Sequence, residues 1–77
     1  MVIKVLGPGC INCQKLEARA KKAIEELGID AQVIKVTDYA DIMAYGIMST
    51  PGLVVDEVVK ISGFVPSLDQ VKAALQV

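Results

Sequence analysis

Two short β-branched runs flank a long segment of helical periodicity, and that alternation narrows the possible folds more than any other feature of the chain. Val2–Leu6 is apolar apart from Lys4 and ends at Gly7-Pro8-Gly9, which reads as a buried strand running into a sharp loop. From the cysteines onward, Cys13, Leu16, Ala20, Ala23, Ile24 and Leu27 recur at three- and four-residue steps and form one apolar stripe. Gln14, Lys15, Arg19, Lys21, Lys22, Glu25 and Glu26 take the other side. The Glu17/Lys21 and Lys21/Glu25 pairs are expected to lace that exposed face with opposite charges. Gly28 is the expected left-handed stop. Ala31–Val36 then reads as a second strand, and a helical crossover of this kind implies that it pairs in parallel with the first.

Downstream, Thr37-Asp38 offers a cap for a short second helix that runs to about Tyr45, with Gly46 as its stop. Ile47–Thr50 is a connecting loop that ends at Pro51. Leu53–Val55 and Val58–Ile61 read as an antiparallel hairpin turning at Asp56-Glu57, a weaker turn signal than Asp-Gly. After Gly63, Pro66-Ser67 opens a last helix, with Ser67 as cap and Leu68, Val71, Ala74 and Leu75 as its buried stripe. The prediction is a single α/β domain over residues 1–77. Its order is β-α-β-α-β-β-α, with a mixed four-stranded sheet and helices on both faces.

The composition removes several classes of function. Eight basic residues are scattered among nine acidic ones, so no basic stripe offers itself to nucleic acid. No apolar run approaches the ~18 residues of a membrane span, and Met1–Leu6 is too short for a signal-peptide core, so a cytoplasmic protein is expected. Histidine is absent, which removes every Cys-His or Ser-His nucleophile arrangement and the commonest nitrogen ligand of zinc. Met43 and Met48 are expected to pack in the core or a loop, and Tyr39 and Tyr45 to be half-buried with their hydroxyls in water.

The chemistry rests on Cys10 and Cys13. The loop they close is too short to constrain the unfolded chain much, so they are not a structural staple. They lie where a buried strand gives way to a helix. The first helical turn there presents unpaired N–H groups and the positive end of the helix dipole, and a thiolate so placed is stabilised. Cys10 is therefore expected to attack. Cys13, one turn later on the core-facing stripe, is expected to resolve. Other readings stay open: a pair of metal ligands, which is two of the four zinc prefers; two small inert thiols packed in a core; and a redox-inert interaction domain.

Gly7-Pro8-Gly9-Cys10-Ile11-Asn12-Cys13, Tyr45-Gly46-Ile47 leading to Thr50-Pro51, and the two β-branched runs before Gly63 resemble thioredoxins and glutaredoxins over nearly the whole chain. The likeness is closest to the small thioredoxin-like redox-active disulfide proteins of archaea and bacteria. That resemblance implies a minimal thioredoxin fold and a thiol–disulfide oxidoreductase that carries electrons to protein disulfides. It also implies an upstream reductase, no cofactor beyond the cysteine pair, and a monomer. It implies too that Pro51 is cis beside the cysteines and that the backbone of Thr50 pairs with an extended substrate segment. Gly9, Ile11 and Asn12 complete the expected substrate surface. Glutaredoxins hold glutathione with a Gly-Gly-x-Asp segment, whereas Gly63 here precedes Phe64-Val65-Pro66, which argues against glutathione as partner. The rival family, small heavy-metal-binding domains, also places Cys-x-x-Cys after its first strand. Those domains run β-α-β-β-α-β and usually carry methionine where this chain has Pro8.

Overall fold

The computed structural model describes residues 1–76. Along them run β1 (Val2–Leu6), α1 (Ile11–Leu27), β2 (Gln32–Val36), α2 (Tyr39–Ala44), β3 (Gly52–Val55), β4 (Val58–Ser62) and α3 (Leu68–Leu75). The order is the expected one, and the ends move by a residue or two where pairing decides them. Gly52 joins β3 and Ser62 joins β4 because they face each other in the ladder. Ala31 falls outside β2 and packs, half-buried, against the core.

The strands stand in the order β2-β1-β3-β4. β1 pairs in parallel with β2, from Val2 opposite Gln32 to Leu6 opposite Val36. It pairs antiparallel with β3, from Ile3 opposite Val55 to Leu6 opposite Gly52. Side chains alternate across the sheet, which sorts the core into two layers. Ile3, Val5, Leu53, Val55 and Ile61 face α1 and α3 and pack with Leu16, Ala20, Ala23, Val71 and Leu75. Leu6 and Val54 face the other way, against Ile42 of α2 and Ile47. α1 and α3 are further tied by a Lys72–Glu26 ion pair at 2.8 Å and by Arg19, which donates to the Pro66 carbonyl at 2.6 Å.

The helix ends follow their caps. The Ser67 hydroxyl accepts from the Gln70 N–H and the Gln70 side chain accepts from the Ser67 N–H, a complete capping box. The Asp38 carboxylate accepts from the Ala40 N–H at 2.8 Å. α2 stops at Ala44, with Tyr45 as its C-cap rather than its last residue.

The hairpin turn has a non-local explanation. Asp56 and Glu57 both adopt positive φ, 47° and 69°, the conformation of a two-residue type I′ turn. Non-glycine residues resist that region by roughly 1–2 kcal/mol each. Two contacts to β1 offset the strain: Asp56 Oδ1 accepts from the Val2 N–H at 2.9 Å, and Glu57 pairs with Lys4 Nζ at 2.5 Å. Lys4 also donates to the Tyr45 hydroxyl at 2.7 Å, and that hydroxyl donates to Glu57 at 3.2 Å. The Tyr45 hydroxyl is thus held in this network rather than left to water. Glu57 first and Tyr45 second push the Lys4 pKa above its ordinary range, and Lys4 holds Glu57 below the ordinary carboxylate range.

Candidate active site

β1 delivers the chain to the site. Beyond Leu6, the Gly7 N–H still donates to the Val36 carbonyl at 2.9 Å, so the edge of the sheet extends one residue into the loop. Gly9 then turns with φ 90°, a conformation that costs glycine little. The Gln14 side chain donates to the Gly9 carbonyl at 3.1 Å and ties the turn back onto α1.

Cys10 is the N-cap of α1, with φ −67° and ψ 166°. Its sulfur accepts from the Cys13 N–H at 3.2 Å. The atom expected to carry thiolate charge therefore sits on one of the unpaired donors of the helix start, with the dipole behind it. Cys10 and Cys13 are joined in a disulfide, with their Cα atoms 5.0 Å apart. The two sulfurs differ in access. Cys10 is exposed, as are Ile11 and Asn12, whereas Cys13 is only 4% exposed.

The second wall is the loop before β3. The Thr50–Pro51 peptide bond is cis, and Pro51 is fully buried. This loop meets the cysteine loop at Gly7. A Cβ built on Gly7 would lie 3.8 Å from the Thr50 Cβ and would collide with the Cys13 sulfur. The structure therefore brings Gly9, Cys10, Ile11, Asn12 and Cys13 onto one end of the sheet with Thr50 and Pro51, because β1 ends and β3 begins there, side by side.

Other expectations need correcting. Met43 and Met48 do not pack: they are 69% and 100% exposed, and with Tyr39 they line a shallow apolar cleft that reaches Thr50. α2 is a six-residue helix that buries only Ile42, which leaves Met43 and Tyr39 outside. Lys21 does pair with Glu17 at 3.0 Å, but Glu17 is not on the solvated face. Its side chain is 14% exposed and lines a small cleft behind Cys13 together with Val5, Gly7 and Lys35. The signal was present in the spacing: Glu17 follows Cys13 by four residues and so shares its face of the helix.

Two thiolates are half the donor set of a tetrahedral metal site. Among the described residues, no group of three or more His, Cys, Asp and Glu side chains gathers to complete one. No helix among them is long and apolar enough to cross a membrane.

Comparison with known proteins agrees with this geometry. A family profile described as a thioredoxin domain matches residues 1–76. A thioredoxin of Methanocaldococcus jannaschii is 41% identical over 76 residues, covering 99% of this chain and 87% of that one. A thioredoxin of Methanothermobacter thermautotrophicus is 44% identical over 75 residues, covering 97% of each chain. With the strand order, the helix-capping disulfide and a profile match that runs from the first residue to the seventy-sixth, the chain belongs to the thioredoxin-domain family.

Proposed function

We propose that this thiol–disulfide oxidoreductase reduces protein disulfides with Cys10 as the attacking thiol and Cys13 as the resolving one. The observation that carries the assignment is the difference in access between two sulfurs one helical turn apart. Cys10 is exposed at the helix cap, where the N–H groups and dipole favour a thiolate, and Cys13 is buried against the sheet. A substrate disulfide can reach Cys10 alone. The mixed disulfide then presents its Cys10 sulfur to Cys13 from within.

Thr50, Pro51, Gly9, Ile11 and Asn12 form the surface that meets an extended substrate segment. An upstream reductase returns the pair to the dithiol. The cycle needs no cofactor beyond the two cysteines, and the protein acts as a monomer in the reducing cytoplasm, without glutathione as its dedicated partner.

The test is a pair of serine variants incubated with a disulfide-bonded protein. Cys13→Ser accumulates a mixed disulfide through Cys10, and Cys10→Ser yields none, as read by intact mass. The reverse pattern overturns the assignment.

A further inference from the structure

Folding leaves an apolar patch uncovered next to the cis-proline loop. α2 is six residues long and buries only Ile42, so Tyr39 and Met43 stay 63% and 69% exposed. Met48, in the loop that follows, is wholly exposed. Single apolar side chains on a surface need no explanation, but three around one cleft do. With Ile42 and Ile47 they enclose about 220 Å³, and the cleft reaches Thr50. Small-molecule pockets begin at roughly 300 Å³, so this one suits a single apolar side chain better than a free ligand.

The cleft is continuous with the proposed substrate surface, because Thr50 belongs to both. Its occupant is therefore an apolar side chain of the protein whose disulfide Cys10 attacks, carried by the segment that lies along Thr50. Methionines suit such a place, since their unbranched thioethers repack around side chains of different shape. They are also open to oxidation. When reductant runs short, Cys10 and Cys13 are held as a disulfide and offer no thiolate to a peroxide. Met43 and Met48 are then the exposed oxidisable sulfurs beside Thr50. The third methionine, Met1, lies at the other end of the sheet, where its carbonyl accepts from the Gln32 N–H.

Resting on the reduction of protein disulfides proposed above, we infer that Met43 and Met48 form a peroxide-sensitive gate on protein substrates. The thioether sulfur attacks one oxygen of hydrogen peroxide. An S–O bond forms, the O–O bond breaks, and the departing hydroxide takes the remaining proton and leaves as water. The methionine is oxidised by two electrons and the peroxide is reduced by two. The sulfoxide is polar, so the cleft no longer accepts an apolar side chain. The cysteines themselves are unaltered, and small disulfides that never enter the cleft are still reduced. Methionine sulfoxide reductases reverse the change, which makes the gate resettable.

The test starts from the disulfide form treated with hydrogen peroxide. Dithiothreitol then returns the cysteine pair to the dithiol and is removed. Rates of thiol loss are measured against insulin, as a protein disulfide, and against hydroxyethyl disulfide, which has no side chain to place in the cleft. Peptide mapping by mass should find one added oxygen on Met43 and on Met48. The insulin rate should fall at least about tenfold, the worth of one apolar side chain denied its burial, while the hydroxyethyl disulfide rate holds. Untreated protein that reduces neither disulfide sinks the proposed function, and the gate with it, before peroxide is used. A double variant, Met43→Leu with Met48→Leu, keeps Met1; whatever its starting rate, its insulin rate should be the same before and after peroxide. Absence of sulfoxide at both positions, an unchanged insulin rate in the oxidised parent, equal slowing with both disulfides, or a fall in the double variant overturns the gate.

Discussion

Replacing Gly7 with alanine should make the cysteine pair more oxidising. Gly7 has an ordinary φ, so alanine meets no backbone penalty there; the cost is one of space. The added Cβ would collide with the Cys13 sulfur and sit 3.1 Å from the Cys13 Cβ. In the dithiol form the Cys13 side chain is free to turn to another rotamer. In the disulfide its sulfur is tied to Cys10 and cannot retreat. The overpacking cost, about 1–3 kcal/mol for a methyl forced into a close-packed site, therefore falls mainly on the oxidised state. At about 30 mV per 1.4 kcal/mol for a two-electron couple, the midpoint rises by roughly 20–65 mV. The parent is expected at roughly −270 to −200 mV, because no cation lies between the cysteines and the helix start alone stabilises the thiolate. Redox titration in glutathione buffers, read by alkylation of free thiols, measures the shift. Melting of the two forms gives a second reading: the oxidised variant should lose about 4–8 °C for each kcal/mol and the reduced one much less. A potential unchanged within about 10 mV, or a more negative one, would show that Cys13 does not depend on the missing side chain at Gly7.

Two further perturbations probe the scaffold. Leu16→Ala removes a fully buried side chain between α1 and the sheet, and urea unfolding should show a loss of about 2–5 kcal/mol with the m-value unchanged. Acid should weaken the fold through Glu17, Glu26 and Glu57, each held below the ordinary carboxylate range by lysine partners. Their folded pKa lies below the unfolded one. Their contribution is therefore complete above about pH 4.3 and fades as pH falls through the folded values. Glu57→Gln should accordingly flatten the acid limb of a urea-midpoint profile, and an unchanged limb would remove the Lys4–Glu57 pair from the account.

The elements could be read from the sequence because each carried its own periodicity. The 3.6-residue stripe of α1, the β-branched runs and the Ser67 cap all act within a few residues, and each appears where it was expected. The exposed cysteine and the buried one likewise followed from their places on a single helix. What escaped depends on partners far along the chain. Asp56 and Glu57 are poor turn residues by themselves, and their turn is held by Val2 and Lys4, more than fifty positions away. Glu17 looked like half of an ordinary surface pair until Lys35 of the neighbouring strand closed over it. Gly7 read only as the start of a sharp loop, and the packed sulfur behind it explains its size. The exposed methionines show the converse error: helical spacing was present around Met43, but α2 is too short to bring that position under cover.

The strand order has a kinetic consequence for catalysis. β1 and β3 are the two interior strands, each paired on both sides, and the cysteine loop leaves one where the Thr50–Pro51 corner enters the other. Fraying begins at edges, here β2 and β4, and the interior ladder opens only with the whole molecule. The two halves of the proposed substrate surface are thus anchored to the last hydrogen bonds to break. Working lifetime and folded lifetime become the same quantity, and an edge that breathes freely leaves the spacing between sulfur and proline untouched.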